Sequence, residues 1–131
     1  MNEAQKKILD ELLLLAHDTP KLFRVRIVAA VVRRNKIISY GFHQNKTHTF
    51  QSKYSKRPES IYIHAEIDAI KNALRKISVN DLSKCDLYVA RSKYEEGKKE
   101  VLLPGLAKPC KGCQRAIDTF GFKNVFYTIN E

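Results

Sequence analysis

The chain has 131 residues, of which 44% are hydrophobic and 29% are charged, a composition typical of a globular domain and unlike that of disordered or fibrous proteins. A chain of this length can build one hydrophobic core but not two, so we predict a single domain over residues 1–131. The net charge of +10 suits binding to nucleic acids or to anionic nucleotides, although its basic residues are scattered through every segment and can equally form a solvated surface.

The first predicted element is a helix over residues 3–17. Its apolar residues form a broad face that can cover a sheet; they are Ile8, Leu9, Leu12, Leu13, and Leu15 or Ala16. The leucine run at 12–15 is far shorter than a membrane span and has acidic neighbours, so we expect neither a transmembrane nor a targeting segment. Because the leucines extend beyond one stripe, some of them are expected to meet another subunit, which favours a homo-oligomer.

A β-hairpin is predicted after Thr19-Pro20 interrupts the helix. Residues 25–32 are a nearly continuous β-branched run, typical of a strand buried on both faces. A polar turn at 33–36 leads into a second strand at 37–40. Residues 41–60 have no regular pattern, and a loop of this length inside a compact domain usually carries function.

The second half of the chain alternates helices with strands. We predict a helix from His64 to the region of Ser78–Asp81, a third strand at 86–90, a helix from Pro109 that ends at Gly121, and a fourth strand at 124–129. The segment 93–103 is highly charged in its first part and is expected to form an exposed hairpin tip that returns through residues 101–103. Crossover helices make the later strands parallel and place the helix N-termini at one edge of the sheet, where ligands of open α/β sheets bind.

Two short motifs at predicted helix starts carry the chemistry. One histidine, His64, and two cysteines, Cys110 and Cys113, form a three-ligand set for Zn²⁺ that leaves a fourth coordination position open for water. A helix N-terminus lowers the pKa of a thiol, and residues three apart lie on one side of a first turn, so both cysteines can reach one ion. Glu66 is only two residues from His64, so we expect it to reach toward the water and not the metal.

The spacing His-x-Glu followed by Pro-Cys-x-x-Cys is the signature of zinc nucleobase deaminases. On these residues and on the order of its elements, the chain resembles the cytidine and deoxycytidylate deaminase superfamily, which includes tRNA adenosine deaminases, over roughly residues 24–128. The resemblance implies a three-layer α/β/α cytidine deaminase-like fold with a mixed central sheet. It also implies a Zn²⁺ cofactor held by His64, Cys110 and Cys113, with Glu66 as the general acid/base and not as a ligand.

The resemblance further implies that the segment after the second strand contacts the sugar and the base, commonly through an asparagine. Either Asn45 or His43 can occupy that place, and the sequence does not choose between them. His48 is a further candidate for a hydrogen bond or a phosphate contact, and Ala65 is a further candidate for a contact with the substrate. The alternative for each of these loop residues is that its side chain is simply solvated and does not contact the substrate.

The implied reaction is the hydrolytic deamination of a cytosine nucleotide, and we favour deoxycytidylate, which yields dUMP and ammonia. A histidine with two cysteines resembles the ligand sets of deoxycytidylate and tRNA adenosine deaminases more than that of the free-nucleoside enzymes. The alternatives are a polynucleotide deaminase acting on tRNA or single-stranded DNA, a deaminase of free nucleosides or bases, and a non-catalytic zinc-stabilised binding module.

Three features depart from the family pattern: the sequence Gly41-Phe42-His43, the insertion at 93–103, and the short segment after the fourth strand. They leave the regulation and the substrate specificity open. The odd number of three cysteines, two of them assigned to metal, argues against a disulfide framework, and Cys85 is expected to be a buried or half-buried thiol. This cysteine usage favours a reducing, cytoplasmic setting.

Overall fold

A computed structural model describes residues 1–18, 26–43, 64–94 and 102–129. Within these ranges the chain forms four helices and five strands. In chain order they are α1 (Glu3–His17), β1 (Arg26–Arg33), β2 (Lys36–Phe42), α2 (Ala65–Ala73), α3 (Val79–Leu82), β3 (Asp86–Tyr94), β4 (Leu102–Gly105), α4 (Lys111–Phe120) and β5 (Asn124–Tyr127). Thr19-Pro20 and most of the 41–60 loop lie outside the described residues.

The five strands form one mixed sheet in the order β2-β1-β3-β4, with β5 also paired to β3. The pairs β1–β2, β1–β3 and β3–β4 are antiparallel, whereas β3 and β5 are parallel. Since β2 and β3 both run opposite to β1, the strands β2, β3 and β5 share one direction. The predicted mixed sheet is therefore confirmed, and β4 is an added antiparallel strand.

Helices cover both faces of this sheet. On one face, α1 packs Leu12 and its apolar neighbours against Val28, Ala30 and Tyr88. On the other face, the core joins Ala29 and residues of β3 to the buried sides of α2, α3 and α4. These three layers confirm the predicted α/β/α fold.

The helix α1 has the bounds predicted from the sequence. A capping box starts it, in which the Asn2 side chain accepts from the N–H of Gln5 and the Gln5 side chain accepts from the N–H of Asn2. Leu12 is fully buried, whereas Leu14 is 64% exposed. Along the described ranges, no helix combines the length and the apolar character that crossing a membrane requires.

Two predicted boundaries were wrong. The helix after His64 ends at Ala73, and the following turn leads to the separate short helix α3, because Ser78 caps a new helix by accepting from the N–H of Asp81. β3 continues past residue 90, its predicted end, to Tyr94. The hairpin predicted to have its tip between Tyr94 and residues 101–103 is confirmed, because Tyr94 pairs with Leu102 and Lys93 pairs with Leu103. Most of that tip, 95–101, lies outside the described residues.

One close contact sets the distance between β2 and α2. A Cβ atom added to Gly41 would lie 2.2 Å from the carbonyl oxygen of Ala65 and 2.2 Å from the backbone nitrogen of Ala69. Ser39, two residues earlier on the same strand, donates its hydroxyl to the carbonyl oxygen of Ala69 at 2.7 Å. The start of α2 therefore rests directly on the backbone of β2.

Candidate metal centre and active site

The two sequence motifs meet because two helices begin side by side at one edge of the sheet. His64 is the N-cap of α2 and Cys110 is the N-cap of α4, and both have extended backbones. Pro109 stands just outside α4, and Gly121 ends that helix with a φ of 73°, in the left-handed region that glycine favours. Ile67, Cys113 and Ala116 form a small buried cluster between the two helices.

The three predicted metal ligands lie together. The Nδ1 atom of His64 is 3.3 Å from the sulfur of Cys113 and 3.5 Å from the sulfur of Cys110. The ligand atoms of all three residues lie within 4.8 Å of one another. In a tetrahedral zinc site with Zn–S bonds of about 2.3 Å, ligand atoms are separated by roughly 3.5–3.8 Å. One nitrogen and two sulfurs at these distances therefore fit a zinc ion.

The two cysteines differ in how readily they lose a proton. Hydrogen bonds from the Cys113 thiol and from His64 lower the pKa of Cys110 to about 3, and the backbone N–H of Cys113 also donates to its sulfur at 3.4 Å. The hydrogen bond to Cys110 and burial raise the pKa of Cys113. The pair thus holds one proton in a position that a zinc ion would replace.

Glu66 lies in the first turn of α2, beside the cluster but outside the ligand set. Its side chain is buried, with 5% of its surface exposed, and burial is the main reason that its pKa is raised. The Cys113 side chain is a hydrogen-bond partner that lowers the pKa again in part. A carboxyl group shielded from bulk water and next to the metal ligands can hold or release a proton there.

The other predicted contacts fall into two groups. His43 is half-buried, and its ring centre lies 5.7 Å from that of His64. Burial and the neighbouring His64 lower the pKa of His43, which favours a neutral imidazole. Ala65 is buried between the two functional residues of its motif. Asn45 and His48 lie outside the described residues, so their role stays a prediction.

Two residues that hold the segments around the metal cluster, Asp68 and Thr128, were not predicted from the sequence. Asp68 is buried on α2, where its carboxylate accepts from the N–H of Phe42 at 3.0 Å and pairs with Lys71 at 3.4 Å. It therefore fixes the end of β2 next to His43. A carboxylate one turn after His64 on an otherwise apolar helix face was a usable signal.

Thr128 holds the segment between β4 and α4, the helix that begins at the cysteine motif. Its hydroxyl donates to the carbonyl oxygen of Gly105 at 2.6 Å and accepts from the N–H of Arg91 at 3.0 Å. Its carbonyl oxygen accepts from the N–H of Ala107 at 2.9 Å. These bonds tie the segment before Pro109 to the sheet. A threonine after a strand carries no signal for such a role, because all of its partners are distant in sequence.

Solved structures of three deaminases resemble this chain. Guanine deaminase from Bacillus subtilis is 25% identical with a TM-score of 0.59, and the match covers 98% of this chain but only 65% of that one. A structure from studies of A-to-I editing by tRNA:A34 deaminases at the wobble position is 22% identical with a TM-score of 0.58, covering 94% of this chain and 75% of that one. The dCMP deaminase of cyanophage S-TIM5, solved with dCMP and dUMP, is 20% identical with a TM-score of 0.60, covering 97% and 82%.

The comparison with curated proteins finds no match. The family described as the cytidine and deoxycytidylate deaminase zinc-binding region matches residues 2–129, nearly the whole chain. The matched region contains both motifs, the helices that begin with them and the sheet that brings them together. With a His/Cys/Cys group positioned to bind a metal ion and a fold shared with solved deaminases, the chain belongs to the cytidine and deoxycytidylate deaminase zinc-binding family.

Proposed function

We propose that this protein is a zinc-dependent hydrolytic deaminase that converts dCMP to dUMP with release of ammonia. The observation that carries the proposal is the convergence of His64, Cys110 and Cys113 within 4.8 Å of one another, beside the buried carboxyl group of Glu66. A purely structural zinc site closes its coordination with four protein ligands and has no use for an adjacent carboxylate. Three ligands and a carboxylate are the set that a hydrolytic zinc site needs.

His64, Cys110 and Cys113 would hold the zinc ion through one nitrogen and two sulfurs. When bound with three protein ligands, zinc lowers the pKa of a water in the fourth position from about 16 to about 7 and so supplies a nucleophile near neutral pH. The two helix N-termini stabilise the thiolates. The start of α2 thus contributes one ligand and the start of α4 contributes two, each with a favourable electrostatic field.

Glu66 moves the protons of the reaction. Its carboxylate accepts a proton from the attacking water and donates it to N3 of the cytosine ring as the water oxygen bonds to C4. Glu66 then takes the remaining proton of the former water from the oxygen on C4 and donates it to the amino nitrogen. The bond from C4 to that nitrogen breaks, and ammonia leaves as the C4 oxygen becomes the carbonyl oxygen of uracil. Because burial raises the pKa of Glu66, its protonated form is accessible for these donation steps.

His43 and Ala65 are proposed to contact the substrate. The imidazole of His43 stands next to the ring of His64 and offers one donor and one acceptor in its neutral form. Ala65 is buried at the first residue of α2, where the backbone N–H groups of a helix start can donate to a ligand. Asn45 and His48 complete the proposed contacts from the loop.

The family description and the complex of a related dCMP deaminase with dCMP and dUMP support a cytosine nucleotide as substrate. The net charge of +10 attracts a substrate that carries phosphate. The same charge favours a second candidate, a polynucleotide deaminase, as does the similarity to a tRNA:A34 deaminase structure. The affinity of a polynucleotide enzyme would fall steeply with salt concentration.

Ammonia release from the zinc-loaded protein tests the proposal. The substrates are cytidine, deoxycytidine, their monophosphates, guanine, a cytosine-containing DNA oligomer and a tRNA. We expect the highest kcat/KM for dCMP and no release after zinc is removed with a chelator. Higher activity on the DNA oligomer or the tRNA would replace the mononucleotide assignment, and full zinc occupancy without release from any substrate would contradict catalysis altogether.

We also propose a cytoplasmic homo-oligomer. The exposed leucines of α1, with Leu14 at 64% and Leu15 at 36% exposure, support subunit contacts. Light scattering of the zinc-loaded protein would show a mass above that of the 15.1 kDa chain. A monomer at micromolar concentration would contradict the oligomer and leave the catalytic proposal intact.

A further inference from the structure

A cleft of about 580 Å³ opens at the end of the sheet opposite to the metal cluster. The turn between β1 and β2 forms one wall, and the starts of β3 and β5 form the other. The metal cluster lies at the other end, where β1 begins and β2 ends. The eight residues of β1 span roughly 23 Å, so the cleft and the metal centre are separate places on the molecule.

The cleft is strongly basic. Among the described residues, four cationic side chains line it, those of Arg33, Arg34, Lys84 and Lys123, against the one carboxylate of Asp86. The Asp86 carboxylate already accepts from the Asn124 side chain at 3.1 Å.

Little negative charge offsets these cations. Lys84 has a loose ion pair with Asp81 at 3.9 Å. In the described part of the chain, no carboxylate lies within ion-pair distance of Arg33, Arg34 or Lys123. Convergent cations without partners repel one another, and an anion placed among them relieves that repulsion.

The backbone fixes the positions of Lys123 and Arg34 at the cleft. The N–H of Lys123 donates to the carbonyl oxygen of Cys85 at 2.9 Å, which fixes the residue beside the start of β3. Arg34 and Asn35 have φ values of 52° and 63° and form the two-residue turn of the hairpin. Asparagine and glycine are the usual residues of such turns, so turn chemistry does not account for an arginine at this position.

We propose that this cleft is a phosphate-binding site, separate from the metal centre and occupied by a phosphate-bearing nucleotide or polynucleotide. Two guanidinium groups can each bind phosphate oxygens through paired N–H donors, and the two ammonium groups add charge. The opening is wide enough for a phosphate group, and its walls expose the donors to solvent. None of its residues takes part in the proposed deamination, so either proposal can fail while the other holds.

The test is a titration of the isotopically labelled, zinc-loaded protein with inorganic pyrophosphate, followed by amide chemical shifts. The largest changes should fall at Arg34, Asn35, Lys84 and Lys123. The double variant Arg34→Gln/Lys123→Gln should weaken binding about tenfold or more. Its matched control, Lys6→Gln/Arg75→Gln, removes the same charge from exposed positions outside the cleft. The affinity of the control for pyrophosphate should stay within about twofold of that of the parent protein.

The source of the phosphate is distinguished with dTMP and an oligothymidylate, neither of which carries an amino group on its base. A mononucleotide site binds both with similar affinity, whereas a backbone-binding site binds the oligomer about tenfold tighter or more, with a steeper salt dependence. In both cases the cleft variant loses the binding. Equal losses of affinity in the cleft variant and its control would contradict the proposed phosphate site. Chemical-shift changes confined to the surroundings of Cys110 would contradict it as well.

Discussion

The two ends of the sheet are built in opposite ways. At the metal end, the site extends from the surface into the core: Cys110 is exposed, whereas Glu66 is 5% exposed and Cys113 is fully buried. At the cleft end, Arg34, Lys84 and Lys123 are exposed. Burial strengthens electrostatic interactions and shifts pKa values, which suits proton transfer, whereas exposed cations keep their charge and suit the attraction of anions.

This difference determines how each end should respond to substitution. A buried group that loses a partner cannot turn to water, so changes at the metal end should be costly. An exposed charge is well solvated with or without its partner, so changes at the cleft end should leave the fold intact. Substitutions at Glu66, Gly41, Thr128 and Lys84 test this contrast.

Replacing Glu66 with glutamine should abolish most turnover and leave zinc in place. The amide has nearly the same shape but cannot carry the protons, and general acid/base help of this kind contributes about 10²–10⁴ in rate. Steady-state ammonia release and the zinc content of the purified variant measure the two effects. A variant that still turns over at about a tenth of the normal rate would remove Glu66 from this role.

Gly41→Ala should destabilise the fold by about 3 kcal/mol, because the new methyl group would collide with the backbone at Ala65 and Ala69. Urea denaturation measures the loss. The control is Gly105→Ala, whose methyl group would meet only flexible side chains, those of Arg91 and Lys93, at 3.2 Å and 3.4 Å. We expect about 1 kcal/mol or less for the control, and equal losses would mean that the spacing of β2 and α2 is not rigid.

Thr128→Val should lower the free energy of unfolding by about 1–3 kcal/mol, because it keeps the shape of the side chain but removes the hydrogen bonds to Gly105 and Arg91. We also expect weaker zinc binding, because the segment before Cys110 loses its attachment. The matched control is Thr119→Val on the exposed side of α4, where the lost hydroxyl bond to Arg115 should change stability by about 0.5 kcal/mol or less. Thermal unfolding and a competitive zinc titration report the two quantities.

Lys84→Gln should have the smallest effect, within about 0.5 kcal/mol of the parent stability. Its ion pair with Asp81 has a distance of 3.9 Å and connects two solvent-accessible side chains. Chemical denaturation at low and high salt provides the measurement. A loss above about 1 kcal/mol would show that the cleft end contributes to folding as the metal end does.

The sequence predicted those parts of the molecule that depend on neighbours along the chain. The bounds of α1, the β1–β2 hairpin and the end of α4 at Gly121 follow from local caps, turns and periodicity, and all were confirmed. The meeting of His64 with Cys110 and Cys113 was predicted because their chemistry is specific and each stands at a helix start.

The parts of the fold and of the site that the sequence did not predict depend on contacts between residues distant along the chain. The apolar stripe after His64 continues to Ile77, which still packs on the core. The regular helix nevertheless ends at Ala73, and Ser78 caps the start of the next helix. The bonds of Asp68 and Thr128 join residues far apart in sequence. Periodicity along the chain carries no information about such partners.

The small cluster between α2 and α4 has a consequence for assembly of the native chain. Of the residues that the structure describes, Ile67, Cys113 and Ala116 form it, while His64 and Cys110 are 46 residues apart in sequence. An ion shared by these two residues would act as a removable cross-link, closing a long loop whose entropy otherwise opposes folding. Metal supply would then govern how much folded protein a cell maintains, before any substrate is encountered.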